Sequence, residues 1–149
     1  MSANAIHLTY KIDGSDFSSA GEASAAMKRV LRGMGVDVDT IRRCAICMYE
    51  GEINAFLHAN GGRADVFIEE NGVSIVIEDK GSGIEDVELA MREGYSTAAQ
   101  NVRELGFGAG MGLPNMKKYS DSIKIDTEAD KGTKVTMVIL FPKPDEAAR

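Results

Sequence analysis

Apolar and polar residues along this chain change period several times, and each change marks a predicted element. In "AIHLTYKID" they alternate, which is the spacing of a half-buried β-strand. From Asp16 onward "DFSSAGEASAAMKRVLRGMG" takes up helical spacing, with Asp16 or Ser18 near the start and Gly35 after the end. A longer helix is predicted over "DVDTIRRCAICMYEGEINAFLHAN", with Asp39 or Thr40 as N-cap, Ile41, Cys44, Ala45 and Met48 as its apolar face and "NGG" as its stop. "ADVFIEENGVSIVIEDKG" carries two β-rich runs meeting at "ENG", and asparagine followed by glycine between such runs is the strongest short hairpin signal. "IEDVELAMREG" reads as a short helix ended by Gly94, and "YSTAAQNVRELGFGAGMG" as a polar, glycine-rich loop about as long as compact domains carry. "LPNMKKYS" reads as a helix with Pro114 in its first turn, and "DSIKIDTEADKGTKVTMVILF" as two strands around a turn at "ADKG". The order strand, two helices, hairpin, helix, loop, helix, hairpin predicts an α+β fold: a two-layer sandwich whose sheet is antiparallel, or mixed and mostly antiparallel, with helices on one face. No internal repeat or linker interrupts it, so residues 1–142 read as a single domain and 143–149, "KPDEAAR", as a frayed, disordered tail.

Composition narrows the class without changing that picture. A chain of 149 residues that is 44% hydrophobic and 27% charged has the balance of one globular domain. No apolar run approaches the roughly 18 to 20 residues that cross a bilayer. The start "MSANAIHLTYKID" lacks the basic end and long apolar stretch of a signal peptide, so a cytoplasmic location without membrane contact is expected. A formal charge of -6 with no basic cluster argues against nucleic acid as a partner and for a protein or metabolite. Cys44 and Cys47 stand three apart, but a structural zinc site needs four ligands and the only histidines are His7 and His58. A thioredoxin-like pair would open a helix after a strand, whereas these lie within an apolar helical face. They are expected to be buried, reduced thiols packing as small hydrophobes.

Two features ask for chemistry. Glu50, Asn54 and His58 follow one another at four-residue intervals. Each helical residue advances by about 100°, so a step of four returns to within about 40° of the same direction and the three form a polar stripe. A stripe of that kind is often only the wet face of a helix. The second feature is a pair of glycine-rich stretches, "EDKGSGI" directly after a strand and "GFGAGMGLP" directly before a helix. Without Cβ atoms such backbone can bring its N–H groups close to an anion, which a helix N-terminus also favours. Neither G-x-x-x-x-G-K-[ST] nor G-x-G-x-x-G occurs in either stretch, so P-loop and dinucleotide-binding readings fail.

"EGEIN" with histidine four further on, then "EDKGSGI", "GAGMGL" and "GTKV", in that order, resemble the motif set of GHKL (Bergerat-fold) ATP-binding domains. The resemblance runs from about Ile6 to Leu140 and is nearest to the small bacterial serine kinases of the anti-sigma-factor and stressosome-switch type. Larger members of that group carry further domains for which this length leaves no room. The resemblance implies ATP and Mg²⁺ as cofactors, with Asn54 the Mg²⁺ ligand and Glu50 the general base. By the same resemblance His58 lines or supports the site. Asp79 would accept a hydrogen bond from the adenine amine, with Gly81 and Gly83 letting the base lie against the backbone. Thr133 would complete the adenine pocket, Gly108, Gly110, Met111 and Gly112 would line the phosphates, and Arg103 is a candidate for the γ-phosphate. Gly51 between Glu50 and Glu52 departs from the pattern and leaves either glutamate eligible as base, the four-residue offset to Asn54 favouring Glu50.

The implied activity is a protein serine/threonine kinase acting on a STAS-domain antagonist, with a sigma factor as a further partner and a homodimer as a possible assembly. The alternatives are a plain ATPase and a sequestering module that uses ATP only to fix its shape; unlike a kinase, the sequestering module would keep the nucleotide pocket but need no base. Glu50 is therefore the residue that separates them.

Overall fold

The structure, a computed structural model, describes residues 5–14, 19–59, 61–81, 91, 112–128 and 131–143, with backbone only at His58 and Ala59. In chain order its elements are β1 (Ile6–Asp13), α1 (Glu22–Gly33), α2 (Val38–Ala59), β2 (Gly61–Ile68), β3 (Gly72–Asp79), α3 (Gly112–Tyr119), β4 (Ser122–Glu128) and β5 (Gly132–Leu140). The helix expected over "IEDVELAMREG" and most of the glycine-rich loop lie outside the described residues.

The five strands form one sheet in the order β1-β2-β3-β5-β4, and every described pairing is antiparallel. The central strand β3 sets the register: Ile75 stands opposite Val66 on one side and Met137 on the other, and Ile77 opposite Ala64 and Val135. All six of these residues are buried and face the helices, because side chains of directly paired residues share a face. Against them pack Met27 and Leu31 of α1, Cys44, Cys47, Met48 and Phe56 of α2, and Leu113 and Met116 of α3. Helices thus cover one face, as the pattern predicts. Among the described residues no helix is long and apolar enough to cross a membrane.

Two helix starts differ from the expectation. α2 begins at Val38, and its cap is Asp37, not Asp39 or Thr40: the Thr40 N–H donates to Asp37 Oδ2 at 3.0 Å, the usual N-cap to N3 bond. α1 begins at Glu22, well after Asp16 and Ser18, with Gly21 as N-cap in the left-handed region at φ 91° and no capping side chain of its own. Its acceptor comes from α2: Glu52 takes the N–H groups of Gly21 and Ala23 on Oε2, at 3.0 and 3.1 Å, and that of Ser24 on Oε1 at 3.1 Å. The hairpin between β2 and β3 forms where "ENG" places it, with the Glu69 N–H donating to the Gly72 carbonyl at 2.9 Å and Glu70-Asn71 as the two central residues.

Cys44 and Cys47 are free, fully buried thiols, each pushed up to about 12 chiefly by burial, so neither ionises near neutral pH.

Candidate functional site

The polar stripe of α2 faces the first turns of α3. The two helices run antiparallel, as four contacts taken in order show. Gly112 lies at Asn54, and the Asn115 amide donates to Glu50 Oε1 at 3.2 Å. Cys47 Sγ donates to the Met116 carbonyl at 3.7 Å, and Arg43 Nε to the Tyr119 carbonyl at 3.1 Å. Arg43 Nη2 also holds Asp121 at 3.0 Å, and Asp121 in turn accepts the Leu140 N–H at 2.7 Å, so the far end of α3 is fastened to both α2 and β5.

Gly112 is tight against the stripe. A Cβ there would stand 2.8 Å from Asn54 Oδ1 and 3.1 Å from Nδ2, so a larger residue would force the amide to turn from its present position. Among the described residues the Asn54 side chain makes no hydrogen bond, although it is half-buried, and its oxygen is a hard donor of the kind Mg²⁺ prefers. No group of three or more His, Cys, Asp or Glu side chains that could hold a metal occurs among the described residues. A cation here would therefore rely on the Asn54 oxygen together with water and the oxygens of a ligand, a set that suits Mg²⁺ better than zinc.

The two candidate glutamates separate by their partners. Glu52 is 3% exposed and its carboxylate is committed to the three amides of α1; burial pushes it up, and those hydrogen bonds pull it back without cancelling the rise. Glu50 is half-buried and accepts only the Asn115 amide among the described residues, on Oε1, which leaves Oε2 available.

A second group gathers at the end of β3. Asp79 Oδ1 accepts the N–H of Gly81 at 2.9 Å and that of Thr133 at 3.2 Å, fixing the carboxylate between strand end and β5. Oδ2 stays free to accept from a ligand as far as the described residues go. Thr127 Oγ1 lies 3.0 Å from Thr133 Oγ1 and 3.3 Å from the Gly132 carbonyl, so the Thr133 hydroxyl is held in a small network. An open cleft of about 660 Å³ runs over this end of the sheet and includes Asp79, Thr127 and Thr133, but not Glu50 or Asn54. The elements that carry the two groups pack closely: Gly51, next to Glu50, sits directly on Ile77, two residues before Asp79 on the same face of β3.

Of the sequence-predicted site residues, Glu50, Asn54 and Gly112 form the first group and Asp79, Gly81 and Thr133 the second. Gly83, Arg103, Gly108, Gly110 and Met111 lie outside the described residues, as does the side chain of His58. Sequence reasoning missed Asn115 and Thr127. Asn115 had a signal, since on a helix starting at Gly112 it stands one turn on, on the same side as Gly112. Thr127 had none, because its partner Thr133 lies across a strand pair.

Residues 42–144 match the family described as histidine kinase-, DNA gyrase B-, and HSP90-like ATPase. Among curated proteins the chain is similar to the anti-sigma F factor of Clostridium perfringens, 30% identical over 125 residues that cover 78% of this chain and 84% of that one. It is 27% identical to the serine/threonine-protein kinase RsbT of Bacillus subtilis over 117 residues, 74% of this chain and 80% of that one. With the anti-sigma F factor of Caldanaerobacter subterraneus subsp. tengcongensis it shares 32% identity over 99 residues, 66% of this chain and 62% of the relative's length, just under two thirds. Among solved structures the mycobacterial sensor histidine kinase MprB aligns with a TM-score of 0.52 at 19% identity, covering 91% of this chain and 98% of that one. SiaB–SiaC from Pseudomonas aeruginosa aligns at 0.53 and 11%, covering 90% and 89%. At these identities the two structures show the shared fold alone.

Proposed function

The chain belongs to the histidine kinase-, DNA gyrase B- and HSP90-like ATPase family, and on that premise we propose that it is a Mg-ATP-dependent protein serine/threonine kinase of a partner-switching system, whose substrate is a small STAS-domain protein. The carrying observation is the α2 stripe: Glu50, half-buried and oriented by Asn115, one turn from an Asn54 amide that makes no hydrogen bond among the described residues.

In this reading each residue has one task. Asp79 accepts the adenine amine on Oδ2 while its Oδ1 stays fixed by the Gly81 and Thr133 amides, so the acceptor is preorganised. Thr133, held by Thr127, presents its hydroxyl to the same base. Asn54 gives its carbonyl oxygen to Mg²⁺, and Gly112 leaves room for it. Mg-ATP, when bound, supplies the γ-phosphoryl group and the charge neutralisation that its transfer needs. Glu50 Oε2 accepts the proton of the attacking serine hydroxyl. Glu52 takes no part, since its carboxylate caps α1.

The names of the anti-sigma F relatives favour a second reading, in which the chain binds a sigma factor when ATP is present and transfers nothing. One experiment separates them: a partner recovered by pull-down is incubated with γ-labelled ATP and wild type, Glu50→Gln or Asn54→Ala. Glu50→Gln keeps shape but loses basicity, so it should bind ATP normally and lose roughly 10² to 10⁴-fold in transfer. Asn54→Ala should weaken Mg-ATP binding itself. A wild type that holds a partner only with ATP and labels no serine supports the sequestering reading instead.

A further inference from the structure

The short helix α3 touches both working ends of the stripe within its first two turns. Gly112 fits against the Asn54 amide, and Asn115 donates to Glu50. Leu113 and Met116, at 6% and 0% exposure, seat the same turns in the core, while Arg43 and Asp121 fasten the other end. α3 therefore cannot slide along α2 without breaking contacts at both ends. Asn115 is the one side chain of α3 that reaches the candidate base among the described residues, and its bond fixes which carboxylate oxygen is occupied.

We propose that Asn115 is a positioning residue for Glu50: by holding Oε1 it turns Oε2 toward the attacking hydroxyl, so that the seating of α3 sets the readiness of the base. This rests on the reading of Glu50 as the base of a phosphoryl transfer.

Three variants in the full chain test it, with Mg-ATP affinity and labelled transfer to the recovered partner measured side by side. Asn115→Ala removes a hydrogen bond to a charged group and should lower transfer about 10- to 100-fold at unchanged ATP affinity. Asn115→Asp keeps the shape but sets a carboxylate against a carboxylate, so it should lower transfer further than the truncation does. In a Glu50→Gln background neither substitution should lower the residual transfer again. A role confined to packing predicts the reverse order, the isosteric aspartate being the milder change, and proportional losses in both backgrounds; either result overturns the proposal. Urea unfolding of Glu50→Ala, Asn115→Ala and the double variant supplies an arm independent of activity. Midpoint losses that add in full mean that the pair does not form in solution, and the proposal falls. If wild type transfers, Glu50→Gln does not, and Asn115→Ala matches wild type, the proposal fails while the kinase reading stands. If Glu50→Gln transfers at the wild-type rate, the base assignment fails and takes the proposal with it.

Discussion

Replacing Gly51 with alanine tests the contact that joins the two halves of the site. By helix propensity alone the change should stabilise, since glycine inside a helix costs about 1 kcal/mol relative to alanine. The surroundings oppose that gain. A Cβ at this position would overlap Ile77 Cδ1 and stand 3.4 Å from Cγ1 and 3.7 Å from Met116 Sδ. Ile77 is 3% exposed on a strand paired on both sides, so its end cannot swing into solvent and its backbone cannot retreat. Glu52, bonded to three amides of α1, holds α2 at the next residue. Overpacking of this kind costs about 1 to 3 kcal/mol. The expected net effect is a loss of about 1 kcal/mol, or roughly 2 to 4 °C in a domain of this size. Ile77→Val alone should lose about 0.5 to 1.5 kcal/mol, as that truncation usually does. It removes the Cδ1 that the new methyl meets, so the double variant should be more stable than the sum of the singles predicts, with a coupling of about 1 kcal/mol or more. Urea unfolding of the four proteins measures it. Gly51→Ala more stable than wild type, or full additivity, would refute the close approach of α2 to β3. Affinity for ATP in Gly51→Ala should fall as well, because pushing α2 off β3 separates Asn54 from Asp79.

Asp79→Asn should keep the Oδ1 acceptor for its two backbone donors but present an N–H where Oδ2 now lies, and lose about 1 to 3 kcal/mol of adenine recognition; unchanged preference for ATP over GTP in titration calorimetry would count against the assignment. Glu52→Gln should destabilise the fold by about 1 to 3 kcal/mol near neutral pH, since its amide nitrogen must face a backbone donor. Because the Glu52 carboxyl is raised above its ordinary 4.5, the native state retains a proton there that the unfolded chain has released, and stability falls as pH rises through the interval between the two values. Urea midpoints across that interval should decline in wild type and decline less in Glu52→Gln, and parallel profiles would show that the raised carboxyl lies elsewhere.

What the sequence disclosed was what neighbouring residues decide. The turn at "ENG", the alternation of β1 and the four-residue step from Glu50 to Asn54 each depend on a short window, and each lies where the pattern puts it. The start of α1 was not legible, because its cap is Glu52, 28 to 31 residues further along, and no rule of local capping reaches that far. Thr127 was hidden for the same reason: its pairing with Thr133 requires the β4–β5 register. Asn115 lay between these cases. Its helix was predicted, yet its role depends on which helix α3 lies against, and that depends on the core built by Leu113 and Met116.

The glycine that departs from the family pattern explains why the two glutamates flanking it do different things. Two residues on a helix advance by about 200°, so Glu50 and Glu52 point to nearly opposite sides, while Gly51 points between them. The structure fills all three directions: Glu50 meets α3 through Asn115, Gly51 meets β3 through Ile77, and Glu52 meets the N-terminus of α1. A side chain larger than hydrogen in the middle direction would press on Ile77 between two neighbours whose carboxylates are both anchored. The proposal of Glu50 over Glu52 as the base thus rests on geometry already implicit in the spacing. Asn54 is four residues from Glu50, about 40° away, and only two from Glu52, so a carboxylate that shares a face with Asn54 can only be Glu50. The glutamate left over is the one carboxylate on this turn able to serve the amides of α1, and its burial at 3% exposure follows from that role.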